Sequence, residues 1–198
     1  MPFIGVIAKE SESNFIKNEV LKNSVNYSFE FININKENLQ NFKNIKFETV
    51  VINEDISEFL NESTYIENIL KKAKYLIINS DIENNLELLK NYKHIITFGF
   101  NQQAMVTISS IEKENVLICI QKNIQDINGE IVEQQEVNIE IGKNSITKSC
   151  NLMVIFTILT IYVENFTEIW QKLTFYVDKS EKMVYNSKCE IYRKAKNI

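Results

Sequence analysis

The chain has 198 residues, 44% of them hydrophobic and 24% charged, with a formal net charge of −4. That length fits one domain, or one and a small appendage, and those proportions predict a folded core and exclude a disordered chain. Arg193 is the only arginine and the lysines are scattered, so there is no basic stripe to meet nucleic acid.

Residues 3–7 are apolar and β-branched and predict a buried first strand. Residues 9–14 form a polar turn with several capping side chains. Phe15, Ile16, Val20 and Leu21 then recur at helical spacing, which predicts a first helix. Residues 27–32 alternate and predict a second strand; 36–44 can hold a short helix, and 47–52 a third strand. Residues 56–74 are helical in pattern with a break at 61–64, and Ile66, Ile69, Leu70 and Ala73 share one face. Residues 75–78 predict a fourth strand, 86–92 a helix, and 95–98 a fifth strand. Such alternation implies a parallel sheet with helices on both faces and right-handed crossovers.

After Ala104 the character changes. Residues 106–111, 116–120 and 131–141 are strand-like with no helix between them, and Glu114-Asn115 and Asn128-Gly129 mark turns. From Ser145 the pattern turns helical, with Leu152, Ile155, Phe156 and Leu159 on one face. This helix is apolar nearly all round, so burial is expected. Trp170, Leu173 and Phe175 predict a further helix, and residues 183–185 and 189–192 are strand-like at best. The expected fold is therefore α/β: one domain over residues 1–198, a mostly parallel sheet flanked by helices, and an antiparallel β extension over about 104–142.

The remaining bulk features narrow the chemistry. Cys119, Cys150 and Cys189 are far apart and form no CxxC pair, so a structural zinc site is not expected. Cys119 reads as a small buried apolar residue. Met1-Pro2-Phe3 lacks a charged leader and runs straight into a strand, and the apolar run 152–163 falls short of the ~20 residues a bilayer span needs. A cytoplasmic protein without membrane insertion is expected. His94 is the only histidine and opens a strand at the edge away from ligands, and no Gly-x-Ser-x-Gly elbow occurs. A serine or cysteine hydrolase is disfavoured accordingly.

One stretch carries a resemblance. Ile96-Thr97-Phe98-Gly99-Phe100-Asn101-x-x-Ala104-x-Val106 resembles the end of the sheet in the central, ATP-binding domain of the Mur ligase family, the ATP-dependent amide-bond ligases of cell-wall synthesis. The order of elements matches that P-loop-like domain as well. The resemblance implies that residues 5–13 stand where the family has Gly-x-x-Gly-x-Asn-Gly-Lys-Thr/Ser. Gly5 and Ser13 match, but Ala8 and Ser11 replace glycines and Glu12 replaces the phosphate-binding lysine. A carboxylate there repels phosphate; two unit charges at 4 Å interact by roughly 4 kcal/mol at an effective dielectric of 20. The plain alternative is a strand–helix turn whose Glu10 or Glu12 favours the helix N-terminus.

The other family motifs are degraded too. In the run Glu58-Phe59-Leu60-Asn61-Glu62-Ser63-Thr64-Tyr65-Ile66-Glu67-Asn68, both family histidines are gone, as Phe59 and Ser63. Phenyl has no lone pair for a metal. Glu58, Glu62 and Glu67 offer carboxylates for a Mg²⁺ cluster in principle, but they read rather as a solvated helix face, and no metal site is expected. Asn79-Ser80-Asp81-Ile82 keeps one of two acids, and helix capping by Asp81 explains it equally. Of the motif at 148–154 only Asn151 persists, and the closing turn at 180–184 lacks its acid.

The resemblance thus implies a pseudoenzyme: a stand-alone Mur-ligase-like domain lacking the flanking domains, without cofactor. It would act as a protein-binding or scaffold module that docks a partner protein, such as a cell-wall ligase, or self-associates. Tyr162, Phe166, Trp170, Phe175 and Tyr176 are candidate surface aromatics, with core packing as the alternative. A second reading is a divergent nucleotide binder or ligase-related transferase, with vestigial binding residues Lys9, Ser11, Ser13, Asp81 and Asn101.

Overall fold

A computed structural model describes residues 1–24, 27–60, 64–88, 92–112, 115–142, 149–163 and 174–176. The first strand, β1 (Phe3–Ile7), leads into α1 (Glu10–Asn23). Glu10 and Glu12 lie in the first turn of α1 and Lys22 in the last, which suits the helix dipole at both ends. β2 (Glu30–Asn33), a 3₁₀ turn at Leu39–Phe42, β3 (Thr49–Ile52), α2 (Ser57–Leu60), α3 (Thr64–Lys72), β4 (Tyr75–Asn79), α4 (Glu83–Leu88) and β5 (Ile95–Phe98) follow. The second half holds β6 (Val106–Ile111), β7 (Asn115–Ile120), β8 (Ile124–Gln125), β9 (Ile131–Val132), β10 (Gln135–Gly142), α5 (Ser149–Tyr162) and β11 (Thr174–Tyr176).

Nine strands form one sheet in the order β11-β10-β7-β6-β5-β4-β3-β1-β2, while β8 and β9 make a separate hairpin. Neighbours from β2 to β6 pair in parallel, and β7 runs against both β6 and β10. The fold is thus the α/β class expected, a mostly parallel sheet with an antiparallel extension.

Burial on both faces explains the unbroken apolar strands. Ile4, Val6, Val51, Ile77, Ile96 and Phe98 point to the face covered by α1 and α5. Ile7, Val50, Ile52, Leu76 and Ile78 point to the other, with Ile56, Phe59, Ile66, Ile69 and Leu70 from α2, α3 and the turn before them. Position 5 alternates onto that second face, where glycine fits because a Cβ would sit 2.7 Å from Ile34 Cδ1 and 3.1 Å from the Phe47 ring. Every residue of α5 from Asn151 to Tyr162 is buried, as its all-round apolarity predicts.

The register of β6 shapes one end of the molecule. It meets β5 only at Phe98↔Val106, while Phe98 is level with Asn79, the last residue of β4. The remaining residues of β6 therefore continue past the ends of the parallel strands, by roughly 16 Å at about 3.3 Å per residue.

Several expectations shift. β2 and β3 begin later than their sequence patterns suggest, and the predicted short helix is a single 3₁₀ turn. The strand expected over 131–141 is two elements, with β8 unforeseen. Phe175 lies in β11, paired in parallel with β10, rather than in a helix. Cys119 is half-buried because it faces the outer side of the alternating strand β7. Residues 164–173 and the tail from 177, with Phe166, Trp170, the 180–184 turn and Cys189, lie outside the described residues. No described helix is long and apolar enough to cross a membrane.

Candidate functional site

In open α/β sheets, ligands bind beyond the carboxyl ends of the parallel strands. Here β1, β3, β4 and β5 end together, and the heads of α1 and α5 arrive at the same edge. The space between them is filled by amides. Asn53 Nδ2 donates to Glu12 Oε2 at 3.3 Å and to Asn151 Oδ1 at 3.4 Å. Asn79 Nδ2 donates to Asn53 Oδ1 at 3.0 Å and lies 3.9 Å from Cys150 Sγ, while Asn79 Oδ1 accepts the Asp81 N–H at 3.0 Å. Asparagine both donates and accepts, so it can relay hydrogen bonds from α1 through the ends of β3 and β4 to α5. Glu12, Asn79 and Asn151 are each more than nine-tenths buried or at that level, at 9%, 6% and 4% exposure.

Two further clasps hold the edge. Asn85, 1% exposed, accepts the Ile56 N–H at 3.0 Å and donates to Glu54 O at 3.0 Å, tying α4 to the turn after β3. Asp81 reaches the loop after β5: its carboxylate accepts the Phe100 N–H at 2.9 Å, the Asn101 N–H at 3.0 Å and the Asn101 amide at 3.1 Å. Gly99 makes this approach feasible, with φ +150 and no room for a Cβ, which would lie 2.9 Å from the Asp81 carboxyl carbon. Asp81 therefore serves the neighbouring loop instead of capping α4.

The electrostatics of the edge are acidic. Burial pushes the Glu54 carboxyl above its ordinary 4.5, the Glu12 carboxylate adds to this, and Lys9 opposes it. Asp55 is held below its ordinary 3.8 by hydrogen bonds from Ser57 and Asn84. Glu58 pairs with Lys36 at 2.7 Å and Glu67 with Lys71 at 2.8 Å, both on exposed surface, as a solvated face requires. Glu62 falls outside the described residues. Among the described residues no group of three or more His, Cys, Asp and Glu side chains is placed to hold a metal ion.

No protein-family model matches this chain, and no curated protein sequence does.

The structure brings the vestigial candidates together only in part. Asp81 and Asn101 touch directly. Lys9, Ser11 and Ser13 instead follow the start of α1: Lys9 and Ser11 are exposed, Ser13 is buried, and the Ser13 N–H makes an ordinary helical bond to Lys9 O at 2.9 Å. Only Ala8 and Lys9 connect β1 to α1. The span 5–13 is strand and then helix, with no wide loop to curl backbone N–H groups around a phosphate.

Sequence reasoning missed Asn53 and Asn85. The signal was an asparagine directly after a buried strand, at Ile52-Asn53 as at Ile78-Asn79, hidden in a chain rich in asparagine. His94 lies outside this edge, just before β5, with φ 55 and its ring 6.1 Å from that of Tyr75.

Proposed function

We propose that this chain is a non-catalytic domain of the Mur ligase kind that works as a protein-binding or scaffold module, docking a partner protein or a second copy of itself. One observation carries the reading. Only two residues separate the first strand from the first helix, and the Glu12 carboxylate at the helix head is bonded to Asn53. Phosphate binding at such a strand–helix junction needs free donors and positive potential. Here the Glu12 carboxylate is buried at the head of the helix and offsets the charge of exposed Lys9, and neighbouring amides are committed to one another. The loop after β5 likewise gives two backbone N–H groups to Asp81.

The reading extends the resemblance of residues 96–106 and rests on it for the family. A thermal-shift titration with Mg-ATP and with UDP-sugars tests it. A ligand held at one hundred times its Kd stabilises by about 2.7 kcal/mol. For a chain of this length, each kcal/mol raises Tm by about 2–4 °C. We expect no saturable shift with any of these nucleotides, and a clear one overturns the proposal. Glu12→Lys supplies a second arm. It restores the sign of charge without lengthening the junction, so it too is expected to give no ATP-dependent shift. Light scattering on the purified chain is expected to show self-association or a stoichiometric complex with an added partner; a strict monomer that binds none counts against the scaffold role.

A further inference from the structure

Asn128-Gly129 is the one Asn-Gly pair in the sequence, and it forms the tip of the β8–β9 hairpin. Both residues are exposed. The side-chain amide of Asn128 has no hydrogen-bond partner among the described residues, whereas its backbone N–H is held by Asp126 Oδ1 at 2.9 Å. Gly129 adopts φ +87, and a Cβ built on it meets nothing closer than Gln125 Nε2 at 3.7 Å. Its N–H donates to Asp126 O at 3.2 Å, the long end of the hydrogen-bond range.

We propose that Asn128 is a site of spontaneous deamidation in the folded protein, converting this turn to an isoaspartyl linkage. The Gly129 nitrogen, freed of its long hydrogen bond by local opening of the tip, attacks Cγ of Asn128. A C–N bond forms there, the bond from Cγ to the side-chain nitrogen breaks, and ammonia leaves with the displaced proton. Water then opens the resulting succinimide. Opening at the main-chain carbonyl leaves isoaspartate, with Cβ now part of the backbone; opening at Cγ leaves aspartate. Glycine at the following position offers no side chain to obstruct the attack.

The same chain contains its own controls. Asn23 and Asn79 each precede a serine, but Asn23 Nδ2 donates to Glu19 O at 2.8 Å within a helix. Asn79 is buried and its amide is bonded to Asn53. The affected turn also has structural consequence. Asp126 O accepts the Tyr75 hydroxyl at 2.7 Å, and the Ile127 N–H reaches Ile161 O at 3.1 Å, so the hairpin clips the start of β4 to the end of α5. An added backbone carbon and a new carboxylate between Asp126 and Glu130 loosen that clip.

The test is to age the folded protein at physiological temperature and mildly alkaline pH. Peptide mapping and enzymatic labelling of isoaspartate then follow each asparagine. The peptide carrying Asn128 is expected to convert an order of magnitude faster than those carrying Asn23 or Asn79. Asn128→Gln is expected to remove the label, and hydrogen exchange at the Ile127 amide is expected to rise with the isoaspartate fraction. Conversion of Asn128 no faster than Asn79, conversion only in denaturant, or an undiminished label in Asn128→Gln overturns the proposal.

Discussion

The hydroxyls of Thr49 and Tyr162 lie 2.6 Å apart, at 0% and 2% exposure, and join β3 to the last residue of α5. Burial pushes the Tyr162 phenol well above its ordinary range, which keeps it neutral at physiological pH. Tyr162→Phe leaves the Thr49 hydroxyl without this partner, and such an orphan costs about 1–3 kcal/mol. Thr49→Val added to Tyr162→Phe is expected to recover much of that loss, which a urea double-mutant cycle measures. Glu54 behaves oppositely to a salt-bridged acid. Its folded pKa is raised, so the stability tied to its protonated form is complete below about 4.5 and is lost as pH rises through the folded value. Glu54→Gln is therefore expected to stabilise the fold at neutral pH, with the gain fading in urea titrations as pH falls toward that range. At this scale the sequence was a poor guide. The carboxylate at position 12 was visible as an oddity, but its partner Asn53 was one asparagine among many. For Asp81 the sequence offers a helix cap or a vestigial binding residue, because nothing local announces a bond to a loop some twenty residues later.

Secondary elements were more legible, and for a physical reason. A face recurring at helical spacing, as Ile66, Ile69 and Leu70 do in α3, is a local signal, and so is the long unbroken apolar run of α5. The two-residue strands β8 and β9 offer no period to detect, although Asn128-Gly129 marked their turn. Spacing from Trp170 points Phe175 to a helix, whereas the pairing of β11 with β10 is a long-range contact that local spacing does not encode. The most demanding element is α5, whose polar side chains turn inward on themselves: Thr157 donates to Met153 O at 2.7 Å and Thr160 to Phe156 O at 2.8 Å. Those bonds let two threonines be buried without external partners. Phe156 is fully buried in this helix, and its truncation to alanine is expected to cost about 3–5 kcal/mol. Chemical denaturation monitored by circular dichroism checks this.

Across the molecule, alternation of apolar strands with helices was enough to give the class of fold, since strands buried on both faces leave little else for such a pattern to build. What could not be read was the length of one junction. Residues 9–14 are polar enough to be a loop or the start of a helix, and the choice between them decides whether a phosphate cradle can exist. The helix won because Glu10 and Glu12 suit its N-terminus, while only Ala8 and Lys9 remain outside it.

The total burial of α5 also bears on how the chain is born. The strands it covers are complete by residue 120, yet the helix itself is translated only between residues 149 and 162. A ribosome therefore exposes a sheet face that only α1 covers for the time taken to add those residues, a window open to aggregation or to chaperones. A chain terminated before residue 149 is expected to pellet after cell-free synthesis, while the 198-residue chain remains in the supernatant.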